Sequence, residues 1–240
     1  MKQRLDLILV ERGLADTRTR AQALIMAGQV SANGRILDKP GQSFDGAIQL
    51  HLKNQPSYVS RAGDKLASVA EVLKLDFSFK TLLDVGSSTG GFTDFALQNG
   101  AVKVYCVDVG TAQLAYKLRQ DPRVVVMEQT DIRVAKLPEL AEIAVIDVSF
   151  VSLTKILEAV AALVKAKVPI VAMVKPQFEA GKALADKYHG VIPLGDERDE
   201  VLESVRAWTR ERFEIIGEAD SGLSGAEGNV ERFFLLTAKR

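Results

Sequence analysis

Residues 81–92 read Thr-Leu-Leu-Asp-Val-Gly-Ser-Ser-Thr-Gly-Gly-Phe, an apolar run that ends near an acid, breaks into glycines and resumes with an aromatic. A strand that gives way to a glycine-rich turn and then a helix is the ligand-binding turn of a Rossmann-like α/β domain. Glycine lets the backbone pass close to a ligand and lets the helix pack tightly on the sheet. The same rhythm continues downstream. Apolar strand patterns at 102–107, 124–127, 143–147 and 170–174 alternate with helical patterns at 92–99, 111–119 and 153–165. A helix over 62–73 precedes the turn, and segments 213–219 and 230–238 read as two closing strands. The expected fold is α/β, with a mainly parallel seven-stranded sheet covered by helices on both faces. The polar stretch 177–196 reads as a long loop, a candidate lid or substrate loop.

The glycine spacing is not the dinucleotide pattern. Asp84 stands two residues before the first glycine, where a carboxylate repels a pyrophosphate but suits a cationic, amine-bearing ligand such as S-adenosylmethionine. Asp108 ends the next strand pattern and is placed to accept ribose hydroxyls. Asp131 follows the third and is placed to meet an adenine amino group. The candidate cofactor residues are Asp84, Gly86, Ser87, Ser88, Thr89, Gly90, Gly91, Phe92, Asp108, Val109, Asp131 and Ile132. Three acids at three successive strand ends favour a methyl donor and hence a class I methyltransferase domain. A nicotinamide-binding domain is the competing reading.

Before residue 57 the chain has a different texture. Residues 5–12 have helical apolar spacing; Gly13 offers a C-cap, and Asp16 or Thr17 an N-cap for a second helix through Ala27. Asn33-Gly34 reads as a turn between two short strands, and 48–52 alternates like a strand. Segment 54–57 reads as a linker, giving a small α+β domain over 1–56 and an α/β domain over 57–240. The formal net charge of the 240-residue chain is zero, but residues 1–58 carry a net +3 against −3 for the rest. Any nucleic-acid footprint therefore falls on the N-terminal module.

The lone cysteine, Cys106, sits in an apolar strand pattern and reads as core; no disulfide can form within the chain. The N-terminus lacks a signal-peptide pattern, and the most apolar segment, 156–174, is interrupted by Glu158, Lys165 and Lys167. The expectation is a cytoplasmic protein without a membrane partner. His51 and His189 are isolated, so no metal site is expected. The oligomeric state is not legible.

Four polar residues stand where chemistry is expected. Asp147 and Lys175 end the fourth and fifth strand patterns, Lys65 lies on the helix before the first strand, and Glu231 opens the last strand. Carboxyl ends of parallel strands are where open α/β sheets bind ligands. The turn, Asp147 and Lys175 together resemble the FtsJ-type ribose 2′-O-methyltransferases. Ser60-Arg-Ala-Gly-Asp-Lys-Leu66, Asp147-Val-Ser-Phe-Val-Ser152, Lys175-Pro-Gln-Phe-Glu-Ala-Gly181 and Gly228-Asn-Val-Glu231 narrow the resemblance to the TlyA, or hemolysin A, family over essentially the whole chain.

That resemblance implies a Lys-Asp-Lys-Glu catalytic tetrad: Lys65, Asp147, Lys175 and Glu231. It also implies that residues 4–50 form the small RNA-binding domain first described in ribosomal protein S-four. The RNA-facing candidates are Arg4, Arg18, Arg20, Gln22, Asn33, Arg35 and Lys39. The implied activity is 2′-O-methylation of cytidine ribose in ribosomal RNA of one or both subunits, with S-adenosylmethionine as cofactor and ribosomal RNA or subunits as partner. Two segments depart from the family pattern, Gly63-Asp64 and the stretch from His189 to Arg198, and both bear on which RNA is bound. In the expected chemistry Lys175 is the base for the ribose hydroxyl and Lys65 orients it, while Asp147 and Glu231 fix the lysines. The alternatives are a silent RNA-binding ribosome-assembly factor, a small-molecule methyltransferase and a membrane-active hemolysin; no basic amphipathic helix supports the last.

Overall fold

A computed structural model describes residues 2–15, 17–53, 57–225 and 227–239, and the chain divides into two compact units, Met1–Pro56 and Ser57–Arg240. The alternative cap Asp16 and linker residues 54–56 lie outside the described residues.

The first unit runs β1 (Lys2–Arg4), α1 (Leu5–Glu11), α2 (Arg18–Met26), β2 (Val30–Ala32), β3 (Arg35–Ile36), β4 (Ser43–Asp45) and β5 (His51–Leu52). Thr17 caps α2 by accepting the Arg20 amide at 3.2 Å. Asn33 and Gly34 both take positive φ, which a two-residue hairpin turn between β2 and β3 requires. Leu5, Leu9, Ala21, Ile25 and Val30 form the core. Three details escape the sequence pattern: the antiparallel pair of β1 with β4, the shortness of β5, and the role of Asp6.

Asp6 is fully buried, and three donors converge on it. Arg4 Nε and Nη2 donate at 3.0 and 2.9 Å, Arg18 Nε at 3.0 Å and Gln22 Nε2 at 2.9 Å. The hydrogen bonds, that from Arg4 foremost, outweigh desolvation and hold this carboxyl well below the usual carboxylate range. Arg4, Arg18 and Gln22, expected to face RNA, thus each donate to this carboxylate, while the Arg4 and Arg18 side chains stay 42% and 54% exposed. Arg20, Asn33, Arg35 and Lys39 remain exposed.

The second unit runs α3 (Arg61–Ala70), β6 (Thr81–Val85), α4 (Gly91–Gln98), β7 (Lys103–Val107), α5 (Tyr116–Arg119), β8 (Val124–Met127), β9 (Ile143–Ile146), a 3₁₀ turn (Leu153–Lys155) and α6 (Leu157–Ala162). It continues through β10 (Ile170–Val174), α7 (Pro176–Glu179), α8 (Gly181–Lys187), α9 (Asp196–Arg212), β11 (Phe213–Asp220) and β12 (Arg232–Ala238). The seven-stranded sheet has the order β11-β12-β10-β9-β6-β7-β8. Strands β6 to β10 are parallel, and β12 is antiparallel to both β10 and β11. The five buried residues of β6 and of β10 show why: apolar faces on both sides must be covered by helices. Two core clusters lie one on each face, with Leu83, Ile146 and Ala172 on one and Leu82, Val145 and Met173 on the other.

Two expectations are corrected. The helix expected over 111–119 shrinks to Tyr116–Arg119, because Ala112, Gln113 and Leu114 donate their amides to the Glu128 carboxylate instead of to a helix. The stretch 177–196 is not a bare loop: Pro176 opens α7 at its first turn, and Ala180 separates α7 from α8, whose first residue, Gly181, has φ of 70°.

Asp6→Asn is expected to destabilise the first unit by about 1–3 kcal/mol, since half-exposed arginine donors lose their buried, charged acceptor. Hydrogen exchange of α1 and α2 amides reads this loss. The depressed folded-state pKa means that the Asp6 contribution is complete above the ordinary carboxylate range and lost as pH falls below it. Acid should therefore lower the protection factors, measured against the intrinsic exchange rate at each pH, in the natural chain and much less in the variant.

Candidate active site

After β6 the chain turns to β7 and β8 on one side, then returns to β9 and β10 on the other. The strand order therefore reverses between β6 and β9, and a crevice opens at their carboxyl ends. The turn after β6 is fitted closely to it. Gly86 has φ of 78°, and a Cβ there would collide with the carbonyl oxygen of Asp147 across the crevice. Gly90, with φ of 94°, opens α4.

A cavity of about 510 Å³ occupies this crevice. Of the expected cofactor residues, Gly86, Ser88, Asp108, Val109, Asp131 and Ile132 line it. Phe92 does not: its ring is buried against Phe233, with centroids 6.1 Å apart. Gly91 serves helix packing, its α-carbon lying where any Cβ would collide with Ser60 and crowd the Gly63 amide at 2.7 Å. Ser87 is buried, and the exposed Thr89 accepts the Ala115 amide at 3.1 Å. Asp108 accepts the amides of Ser88 and Gly110 at 2.8 and 2.7 Å, which leaves one lone-pair direction on each oxygen. Asp131 is engaged differently from expectation: the amide and guanidinium of Arg133 occupy both its oxygens, and that pairing holds its carboxyl low, to about 2.

Asp84 lies beneath the turn at 1% exposure. The Thr93 hydroxyl donates to its Oδ2 at 2.6 Å, while Oδ1 has no partner among the described residues. Burial pushes this carboxyl up to about 7; the Thr93 hydrogen bond opposes the rise, and the charges of Asp147 and Asp108 add to it. The same Thr93 hydroxyl lies 3.1 Å from the Cys106 sulfur, and that thiol is buried core, pushed well above its usual range chiefly by desolvation. Such a concentration of carboxylates in a shielded crevice suits a cation.

The four tetrad candidates form two ion pairs. Lys65 Nζ lies 2.6 Å from Glu231 Oε1, with side chains 11% and 3% exposed. Lys175 Nζ lies 2.6 Å from Asp147 Oδ1, with side chains 13% and 17% exposed. Because β12 runs antiparallel to β10 and Arg232 pairs with Val174, Glu231 reaches the same sheet edge as Lys175. Lys65 comes from α3, which crosses α4 closely enough that Gly63 and Gly91 have no room for side chains. Glu231 Oε2 has no partner among the described residues. Asn229 fixes the preceding chain, accepting the Ile192 amide at 2.9 Å and donating to the Gly190 carbonyl at 2.8 Å. Buried Arg198 donates to the Val230 carbonyl at 3.2 Å.

Phe150 received no role from the sequence, though it lies inside the Asp147 motif. It is 91% exposed, has φ of 63°, lines the cavity and stands 5.0 Å from the Phe178 ring. An exposed aromatic held in a left-handed conformation is a site feature rather than a packing one. Ser149 and Glu128 were also missed; their contacts are long-range and leave no periodic trace. Among the described residues no three His, Cys, Asp or Glu side chains group as a metal site, and no helix is long and apolar enough to cross a membrane.

Comparison with known proteins identifies both units by family. The FtsJ-like methyltransferase family model matches residues 58–239, and the S4 domain model matches residues 3–46. The chain belongs to the FtsJ-like methyltransferase family. The Bacillus subtilis protein YqxC is 46% identical over 241 residues, 98% of this chain and 85% of that protein. The 16S/23S rRNA (cytidine-2′-O)-methyltransferase TlyA of Mycobacterium tuberculosis is 38% identical over 247 residues, 98% and 90% of the two chains. A solved Streptococcus thermophilus structure described as a hemolysin is 42% identical, with a TM-score of 0.73 over 99% of this chain and 88% of that one.

In this methyltransferase Asp84→Asn should be more stable than the natural chain at pH 8, by on the order of 1–3 kcal/mol, with a clearly smaller advantage at pH 5. The folded pKa of Asp84 is raised, so the folded state holds a proton that the unfolded state releases. Its cost therefore appears as pH rises from the ordinary carboxylate range through about 7. Paired urea melts at the two pH values check the sign.

Proposed function

We propose that this chain transfers the methyl group of S-adenosylmethionine to a ribose 2′-hydroxyl, a cytidine, in ribosomal RNA within the cytoplasm. The observation that carries the reading is the pair Lys175–Asp147, whose carboxylate lines the crevice with Asp108 and Asp131, with Lys65–Glu231 on the same sheet edge. The buried, unpartnered oxygen of Asp84 fits a cationic, amine-bearing cofactor. Asp108 has lone pairs free for ribose hydroxyls, and Val109 and Ile132 supply apolar walls for a flat base. Arg133 would have to swing away before Asp131 could meet an amino group.

S-adenosylmethionine, when bound, supplies a methyl group already activated by its positive sulfur. The residues must then align a weakly acidic hydroxyl and remove its proton. Lys175 is the proposed base at Nζ, held by Asp147 and only slightly exposed, so bulk water competes poorly for it. Lys65, tied to Glu231, fixes a second positive charge that orients the hydroxyl oxygen. Phe150 offers its exposed ring as a platform on which the base of the acceptor nucleotide stacks, a contact worth about 1–3 kcal/mol per base. The first unit supplies phosphate contacts through Arg20, Arg35 and Lys39.

The test is mass-spectrometric mapping of 2′-O-methylated nucleotides in ribosomal RNA from a strain lacking the gene, before and after treatment with the protein. A new 2′-O-methylcytidine is expected, and none with Lys175→Ala, although that variant should still bind S-adenosylhomocysteine in calorimetry. An active Lys175→Ala protein would remove Lys175 from the role of base.

Replacing Arg20 and Lys39 together with alanine should weaken RNA binding and reduce the slope of log affinity against log salt by about 1–2, as expected for two lost phosphate contacts. An unchanged slope places the RNA footprint elsewhere. Arg18 is unsuited to this test, because its replacement also strips a donor from Asp6.

A further inference from the structure

Ser149 lies two residues beyond Asp147, lines the crevice and is exposed. Its hydroxyl accepts a hydrogen bond from Lys175 Nζ at 3.1 Å. Among the described residues this is the one aligned hydrogen bond that Nζ makes. Asp147 Oδ1 is nearer, at 2.6 Å, but off the line of a hydrogen bond and without any aligned donor. The Ser149 hydroxyl takes part in no other hydrogen bond among the described residues. It therefore contributes little to the fold, yet it touches the nitrogen on which the proposed chemistry depends.

The geometry points to Ser149 as a positioning residue that aims the lone pair of Lys175 at the acceptor hydroxyl. This inference rests on the reading of Lys175 as base. An amine that accepts a proton carries two N–H bonds and one lone pair, arranged tetrahedrally with Cε. The Ser149 hydroxyl fixes one N–H, and the Asp147 carboxylate attracts the second. The remaining direction is the lone pair. Lys175 Nζ then takes the hydroxyl proton as the ribose oxygen bonds to the methyl carbon, and the electron pair of the old carbon–sulfur bond returns to sulfur. Without Ser149 the amine turns about Cε–Nζ, and Asp147 alone does not define its azimuth. Charge at the site is unchanged by the loss; only direction is lost.

A role in direction predicts a particular kinetic pattern. Single-turnover and steady-state methyl transfer would be measured on ribosomal subunits from a strain lacking the gene, with tritiated S-adenosylmethionine. Ser149→Ala should lower kcat about tenfold or more and leave both KM values within about twofold, because binding is intact and only the aligned base is lost. Its melting temperature and its calorimetric affinity for S-adenosylhomocysteine should match the natural protein. Ser149→Thr, which keeps the hydroxyl, should recover kcat to within about threefold. Should the alanine variant fold poorly, Ser149→Cys carries the same test, since a thiol is a weak acceptor of similar size.

A natural kcat in Ser149→Ala, a loss confined to KM, or no recovery in Ser149→Thr would overturn the inference. Lys175→Ala run in parallel separates the two levels. An inactive Lys175→Ala beside a fully active Ser149→Ala removes Ser149 alone, whereas an active Lys175→Ala removes the base on which the inference stands.

Discussion

A carboxylate sealed beneath the turn that follows the central strand sets the terms for the rest of the second unit. Asp84 has one hydrogen-bond donor, Thr93, and two other acids for neighbours. Burying such a group weakens the folded state, and a neutral residue of the same shape would be tolerated there more cheaply. Under the proposed function, a positive ligand entering the crevice would turn that local liability into binding energy. The reversal of strand order between β6 and β9 supplies the opening, and the absence of a side chain at Gly86 lets the two strand ends meet there.

The tetrad solves a second electrostatic problem. Two lysines and two acids share one sheet edge, yet each lysine has its own carboxylate at 2.6 Å. The Lys65–Glu231 pair is the more enclosed, and the chain before Glu231 is immobilised by Asn229 and Arg198. The Lys175–Asp147 pair is more open, with Lys175 Nζ donating to Ser149 and lying 5.8 Å from the Phe178 ring centroid. The two pairs thus differ in enclosure: one is almost sealed, and the other is open to the crevice.

Much of the fold was legible because buried parallel strands and their covering helices impose strong periodicities. Strands 124–127 and 170–174 emerged with the expected bounds, and the strand-end acids led to the crevice. Segments decided by a distant side chain were not legible. Glu128 unravels the expected helix at 111–115 by capturing three amides, and Asp6 draws in Arg4, Arg18 and Gln22 from one strand and one helix. Local pattern carries no record of such partners. Phe92 illustrates the converse: a motif position adjacent to ligand contacts whose ring belongs to the core.

The contact of α3 with α4 has an implication for variation in this chain. Gly63 and Gly91 face each other so closely that a Cβ on either would crowd the backbone of the other, at 2.8 Å from the Gly91 oxygen or 2.7 Å from the Gly63 nitrogen. Shrinking the opposite residue cannot compensate, because it is already the smallest available. The two positions therefore behave as a single genetic locus without a second-site suppressor in either partner. A mutational screen should find both intolerant, although neither carries a functional group, because their close approach sets how α3, which carries Lys65, packs on α4.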